Sequence, residues 1–424
     1  MWSGSSSPVA DGVARLVRSF RQTERKGDHM KYAVVILDGA AGWPLAELGG
    51  KTTMQAASTP HLDAMAREGR LGMARTVPEG EEPSSSAACT SILGYDPITD
   101  HVGRGAIEAA SMGVRLGPDQ IALRLNTVTI TDGVMVSYAC GHITTEESRA
   151  IIAELAATLD NDTFKLYPGV AYRHILVVTG HPELLEAHYT PPHDISDRRV
   201  GPHLPKGPGS ELLLDYAERA RTLLASSSVN RSRQASNLPL ATDIWPFWPG
   251  AAPRGMVPFS ERRGVRAAMS SGVDLLNGLA VLLEMTRLDI PGVTGGSDND
   301  YVAQVSGCLA ALADHDLVVV HVESPDEEGH AGDAGAKVAA IEAIDSEVIS
   351  RLMDFAKVDD LRVLAMPDHP TPIPTKTHAS EAVPFVVWGS GIASNGGVAF
   401  NEIDADTTRL LLDPGRDVMD VLLG

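Results

Sequence analysis

Hydrophobic positions along the chain follow two rhythms. The first is the near-continuous apolar run, as in "KYAVVILDG" from Lys31, "HDLVVVHVE" from His315, "LRVLAMPDH" from Leu361 and "VPFVVWGSG" from Val383. Runs of strand length without alternation predict strands buried on both faces, the pattern of a central parallel sheet. The second rhythm is helical. "STPHLDAMAREGRLG" has a Ser-Thr-Pro entry, apolar Leu62, Met65 and Ala66, and a glycine exit. "AAIEAIDSEVISRLMDFA" carries Ile341, Ile344, Val348 and Leu352 at helical spacing. Strands and helices alternating in this way predict an α/β sheet covered by helices on both faces.

The middle of the chain breaks that grammar. "ALRLNTVTITDGVMVSYA" predicts a β-hairpin turning at Thr131-Asp132-Gly133, and "FKLYPGVAYRHILVVTG" predicts two more short strands. "EESRAIIAELAATL" and "SELLLDYAERARTLL" read as amphipathic helices. Together they predict a smaller α+β domain over residues 116–254, inserted into a larger one made of residues 30–115 and 255–424. The serine-rich "ASSSVNRSRQASN" reads as a loop or hinge near its end. Residues 1–29 lack the long apolar stretch of a secretory signal and read as an extension ahead of Met30, with a short basic, amphipathic centre.

Composition narrows the function classes. Lys and Arg number 35 against 55 Asp and Glu, a net charge of −20, which argues against non-specific nucleic-acid binding and against an anionic membrane surface. It leaves room for a local basic pocket that takes a small phosphorylated molecule. The longest apolar runs are strand-sized, so no transmembrane helix is expected. Cys89, Cys140 and Cys308 show no CxxC spacing and fit a reducing, cytoplasmic setting. The sequence does not set monomer against homo-oligomer.

Candidate chemistry concentrates where predicted strands end. Asp38 closes "VVILDG", Asp326 and His330 follow a strand in "HVESPDEEGH", Asp368 and His369 adjoin in "VLAMPDHP", and His378 stands in "TKTHASEAVPF" just ahead of the next strand. A single Asp at a strand end is ordinarily a turn or helix-capping residue. Here the motifs gather on the carboxyl edge of one sheet, where open α/β sheets bind ligands. His378 precedes its strand and needs a loop to return it there. Three carboxylates and three imidazoles suit Mn²⁺, Zn²⁺ or Co²⁺, with Mg²⁺ less favoured by imidazole, and six ligands approach the need of a two-metal centre. Two metals about 4 Å apart clamp a phosphoryl group and activate a nucleophile, for which a serine would serve.

Cationic side chains are the expected partners of a small phosphorylated molecule. Arg104 in "GRGAIEAA", Arg173 in "YRHILV" and Arg198 or Arg199 in "DISDRRVG" are the candidates. His142 in "CGHITTEE" and the pair His193-Asp194 are the candidates for proton transfer by motif position. His174 is expected to pack or to face solvent on its strand.

These motifs, with "PSSSAACTSILGYDP", "YPGVAYRHILV", "PPHDI" and "MPDHPTPIPTKTH", run in order from about Lys31 to about Gly391. Together they resemble the archaeal-type, cofactor-independent phosphoglycerate mutases of the alkaline phosphatase superfamily. Within that family the chain is most similar to a bacterial branch, some members of which have been proposed to be homoserine kinases. The resemblance implies one metal held by Asp38, Asp368, His369 and the nucleophilic serine, and a second held by Asp326, His330 and His378. The family's nucleophile lies nine residues before the glycine of Gly-Tyr-Asp-Pro, which here is Ser85. It implies a phosphoserine intermediate that interconverts 3-phosphoglycerate and 2-phosphoglycerate with two divalent ions, Mn²⁺ foremost, and without 2,3-bisphosphoglycerate. The inserted domain would hold the glycerate.

The chain departs from the family pattern at Ser84, Ser86 and Cys89, which stand for a glycine, an acid and a polar residue. Ser84 removes backbone freedom at an expected tight turn. Pro246 and Pro249 in "DIWPFWPGAAP" likewise differ from a Gly-Gln-Gly-type stretch in relatives. The alternatives are a phosphotransferase or phosphatase acting on another small substrate such as homoserine, and a non-catalytic metal-binding protein. No GxxxxGK[ST] segment is present for a nucleotide.

Overall fold

The computed structural model describes residues 30–100, 102–252 and 256–424. The expected extension over residues 1–29 and the expected boundary at 254–255 lie outside them. In chain order the strands are β1 (Lys31–Leu37), β2 (Arg70–Ala74), β3 (Gln120–Thr131), β4 (Val134–Ser137), β5 (Phe164–Tyr167), β6 (Arg173–Thr179), β7 (Asp243–Ala251), β8 (Ala267–Ser270), β9 (Thr286–Arg287), β10 (Leu317–Val322), β11 (Leu361–Met366), β12 (Val383–Gly389) and β13 (Leu411–Leu412). Eight of them form one sheet in the order β13-β2-β12-β11-β1-β10-β8-β9. Strands β11, β1, β10, β8 and β9 run parallel, and helices pack against the sheet, an α/β architecture. Residues Ala33–Leu37 of β1 are 0 % exposed, as an unalternated apolar run at a sheet centre requires.

One strand departs from the parallel expectation, and it decides the site. β12 runs antiparallel to β11. It therefore begins at the edge where β11 ends, and residues 367–382 never leave that edge. An antiparallel partner needs no crossover, which is how His378 stays beside Asp368 and His369.

The helix expected over residues 339–356 runs from Ala334 to Ala356 but is interrupted by a π-helical turn, Ile344–Ile349. The wider turn serves another helix. Thr59 makes no side-chain cap on the helix Pro60–Glu68. Asp345 supplies the cap instead, accepting from Leu62 N at 2.7 Å and His61 N at 3.3 Å. Buried helical N–H groups need such partners, and periodicity in one helix cannot reveal a cap given to another.

Strands β3 to β7 form the second sheet. Its apolar core, around Ile151, Leu155, Leu176, Leu213 and Leu224, is separate from that of the large sheet. The hairpin turns where expected: Thr131 pairs with Val134 across Asp132 (φ 52°) and Gly133 (φ 73°), the two left-handed positions of a type I′ turn. The serine-rich stretch expected as a loop contains a helix, Ser228–Ala235. Ser227 caps it, and it is anchored by polar rather than apolar burial. Arg233 donates to Pro239 O at 2.7 Å, Cys140 O at 3.0 Å and Glu147 at 2.7 Å. Pro246 and Pro249 are accommodated because β7 pairs with β3 alone among the described strands, as an edge strand tolerates. Its register shifts opposite Leu123 and Arg124, with Trp248 at φ 46°. No described helix is long and apolar enough to cross a membrane.

Candidate metal centre and active site

Three parallel strands deliver the carboxylates and the first imidazole to one edge. Asp38 follows β1, and Asp368-His369 follow β11. Asp326 and His330 follow β10 on the helix Ser324–Ala331, where spacing of four places both on one face. Asp38, Asp368 and His369 offer ligand atoms within 4.8 Å of one another, and all three are buried. His369 Nε2 lies 3.2 Å from Asp368 Oδ2 and 3.7 Å from Asp38 Oδ1. Asp326, His330 and His378 make a second such group. Asp326 Oδ2 is 3.0 Å from His330 Nε2 and 3.7 Å from His378 Nε2. The groups adjoin, with the His369 and His378 rings 4.1 Å apart.

The donor set fits divalent ions. Asp38 Oδ1 is buried without a hydrogen-bond partner, and the Nε2 atoms of His330 and His378 converge to 3.0 Å beside a shared carboxylate oxygen. Possible ligand atoms converging in this way suit a cation between them, and oxygen with imidazole nitrogen suits first-row divalent metals.

Charge is concentrated accordingly. Burial, and then Asp368 and Glu323 nearby, push the Asp38 carboxyl well above its usual range. Burial would raise Asp326 too, but hydrogen bonds from His330 and His378 hold it well below. His330 in turn is pushed up to about 9 by its bond to Asp326.

Ser85 is the first residue of the helix Ser85–Ile92, and its Oγ lies 3.2 Å from His369 Nε2. Ser84 is the N-cap, accepting from Ala87 N at 3.4 Å with φ −158°. That is extended backbone, so the expected loss of conformational freedom does not arise: a capping serine suits this position. Ser86 Oγ is 3.1 Å from Ser84 Oγ. Cys89, one turn on, is buried with its thiol 3.7 Å from Asp368 Oδ2; burial pushes it well above the usual thiol range.

Several contributors escaped the sequence reading. His321 Nε2 sits 2.8 Å from Asp38 Oδ2, and its Nδ1 is 3.0 Å from Ser271 Oγ. With Glu323 these residues form a third His/carboxylate group that shares Asp38, and a hydrogen bond from His321 to Asp38 accounts for its closeness. The available signal was one histidine inside the otherwise apolar "LVVVHV". Lys337 is fully buried, pushed down to about 8 by burial, and donates to Ala41 O and Thr371 O. It reads in sequence as an ordinary helical lysine.

A second cluster forms on the smaller sheet. Arg104 Nε and Arg124 Nη1 both donate to Glu108 at 2.9 Å. The Arg104 guanidinium lies 3.9 Å over the Trp248 ring, and His193 is 5.6 Å from the same ring. Burial, then the neighbouring arginines Arg104 and Arg173, lower Arg124. The glycines flanking Arg104 permit this: a Cβ at Gly103 would lie 2.3 Å from Pro249 O, and one at Gly105 2.3 Å from Ala122 O. Arg173 reaches Asp274 at 3.9 Å. Asp274 starts the helix that follows β8, so Arg173 meets the large sheet at its carboxyl edge.

Of the sequence candidates, Arg104 and His193 meet at Trp248, Arg124 joins them unforeseen through Glu108, and Arg173 lies near enough to Arg124 to lower it. Asp194 is 3.7 Å from His193. His142, Arg198 and Arg199 are exposed, and His142 joins neither cluster among the described contacts. His174 packs: it is buried, with Nε2 2.8 Å from Ser148 Oγ.

The fold and its edge define an α/β protein with two adjoining His/Asp groups able to hold divalent metal ions. Comparison with known proteins narrows this. Residues 66–230 match the family model for 2,3-bisphosphoglycerate-independent phosphoglycerate mutase. The enzyme of that name from Methanothrix thermoacetophila is 42% identical over 396 residues, covering 93% of this chain and all of the relative. That from Methanosarcina barkeri is 40% identical over 93% of this chain and 99% of the relative. The solved cofactor-independent phosphoglycerate mutase of Thermoplasma acidophilum superposes with a TM-score of 0.65 at 25% identity, over 93% of this chain and 99% of that one. The chain belongs to the 2,3-bisphosphoglycerate-independent phosphoglycerate mutase family.

Proposed function

We propose that this protein interconverts 3-phosphoglycerate and 2-phosphoglycerate through a phosphoserine on Ser85, at a centre that takes two divalent ions and needs no 2,3-bisphosphoglycerate. The observation that carries the reading is the place of Ser85: its Oγ joins the Asp38, Asp368 and His369 group at 3.2 Å from His369 Nε2, at a helix N-terminus. A helix start favours the negative charge of a phosphoryl group.

Asp38, Asp368, His369 and Ser85 would hold one ion, and Asp326, His330 and His378 the other. Bound there, they would supply charge neutralisation and make the serine hydroxyl more acidic. Ser85 Oγ attacks phosphorus, the ester bond to the glycerate breaks, and the freed hydroxyl takes up a proton in place of the one Ser85 released. The guanidinium groups of Arg104, Arg124 and Arg173 hold the glycerate carboxylate, and the aromatic walls of Trp248 and His193 limit its escape while it turns. Its other hydroxyl then attacks the phosphoserine, and Ser85 recovers its proton. The smaller unit, residues 116–254, together with Arg104 from the helix Arg104–Ser111, acts as the holder and the large sheet as the phosphoryl-transfer edge.

The test is turnover of 3-phosphoglycerate coupled to enolase, after incubation with Mn²⁺ or Co²⁺ and without bisphosphate, beside metal analysis. Turnover with two ions per chain is expected. Absent turnover, beside ATP-dependent phosphorylation of homoserine, would replace the mutase reading. Substantially fewer than two ions per chain would remove the two-metal centre.

A further inference from the structure

Thr371 lies in the loop after β11, two residues beyond His369, and is fully buried. Its single hydroxyl touches both ligand groups. Oγ1 donates a short hydrogen bond to Asp326 Oδ1, of one group, and lies 3.3 Å from His369 Nδ1, of the other. We infer that Thr371 is a positioning residue that couples the two metal-ligand groups, by orienting Asp326 and fixing the tautomer of His369 through one hydroxyl. The inference rests on the two-metal reading above.

Proton bookkeeping supports the tautomer. A hydroxyl has one proton and two lone pairs. The Thr371 proton is committed to Asp326 Oδ1, to which Oγ1 donates. Oγ1 can then meet Nδ1 of His369 only as an acceptor, which places the ring proton on Nδ1. The Nε2 lone pair is left facing Ser85, Asp38 and Asp368, the orientation a metal ligand requires. A partner on the remote ring nitrogen commonly sets a ligand's tautomer in this way. Here the partner is shared with the neighbouring group.

The surroundings are shaped for this hydroxyl. A Cβ at Gly39, beside Asp38, would lie 2.3 Å from Asp326 Oδ1 and 2.7 Å from Thr371 Oγ1; one at Gly329 would lie 2.8 Å from Thr371 Cγ2. Gly39 also has φ +60°. The glycines of "LDG" and "DEEGH" therefore make room for one side chain of "DHPT". The Thr371 backbone is clamped as well: its N–H donates to Ala41 O at 3.1 Å, and its carbonyl accepts from Lys337 Nζ at 2.7 Å.

The experiment titrates Co²⁺ into the metal-free full-length protein, its parent form, Thr371→Val and Thr371→Ser, by calorimetry and visible absorption. The parent protein should take two ions. Valine keeps the shape without the hydroxyl and should weaken both ions roughly 10- to 100-fold, whereas serine should stay within a few-fold of the parent. A loss confined to one ion, or two unchanged affinities in Thr371→Val, would overturn the coupling. A parent protein that takes fewer than two ions would instead overturn the two-metal reading. Should Thr371→Val not fold, ¹⁵N spectra of the metal-free parent decide: the His369 proton is expected on Nδ1, and a proton on Nε2 of the neutral ring would sink the inference.

Discussion

The ligand edge of the large sheet and the arginine cluster of the smaller one are built by opposite means. At the edge, Asp38, Asp368 and His369 are 0 % exposed, and each leaves a strand end whose direction the sheet fixes. In the cluster, Arg104 and His193 are partly exposed, come from a helix and a short 3-10 turn, and meet at one indole. Chemistry carried by buried groups needs a rigid frame, because an unpaired buried charge is costly. Recognition of a mobile anion works with long side chains at a surface, whose placement is set by packing partners far away in sequence.

The comparison breaks first at Ser85. Ser85→Ala should lower mutase turnover on the order of 10⁴-fold or more while the protein retains both ions, because six other ligands remain. Full activity would transfer the nucleophile to Ser84 or Ser86. Arg124→Gln should come next. Arg124 is 9% exposed, its Nε lacks a partner, and it shares Glu108 with Arg104. Losing it should reduce kcat/KM about 100-fold, within the range for truncating one partner of a buried charge pair, with metal content unchanged. An Arg124→Gln protein that loses metal would show that the two regions are not separable.

The sequence exposed the edge far better than the cluster, and the reason is physical. Strand ends in a parallel sheet share a direction, so motif order alone predicts that Asp38, Asp326, Asp368 and His369 meet. His378 also required the reversal of β12, which its apolar run could not show, since buried strands look alike in either direction. Arg124 was hidden because an arginine inside "ALRLNTV" looks like the polar side of a strand; only the bulge at Trp248 and the approach of Glu108 reveal its role. Asp345 and Lys337 were invisible for a related reason: their partners lie across the fold. The helix at Ser228–Ala235 was missed because polar anchors, rather than an apolar stripe, hold it.

Two buried histidines sharpen the contrast through pH. His369 is surrounded by carboxylates, whereas His174 accepts from Gly169 N at 3.2 Å and meets Ser148. Burial pushes His174 from 6.5 down to about 3. Above pH 6.5 the ring is neutral in the folded and unfolded chain alike. Below it, the unfolded chain binds a proton that the folded one refuses, so stability falls progressively until about pH 3. Linkage gives a loss of about 2 kcal/mol between pH 7.5 and pH 5 from this group alone. Urea denaturation at both pH values should show that extra loss in the parent protein and not in His174→Gln. Equal pH dependence in the two would mean that His174 is charged, or solvated, in the folded state.

Trp248 tests the cluster at its most exposed contact. The residue sits in the β7 bulge at φ 46°, an uncommon conformation for a bulky side chain, which argues that the ring's position is imposed by its surroundings. Arg104 stacks on it at 3.9 Å while bonding Glu108, so the indole fixes the guanidinium plane rather than its charge. Trp248→Leu removes a cation–π contact worth about 0.5–1 kcal/mol at such a site. KM for 3-phosphoglycerate should therefore rise about 2- to 5-fold with kcat held. A fall in kcat without a change in KM would instead place Trp248 in the transfer step, and the division between a holding surface and a reacting edge would no longer stand.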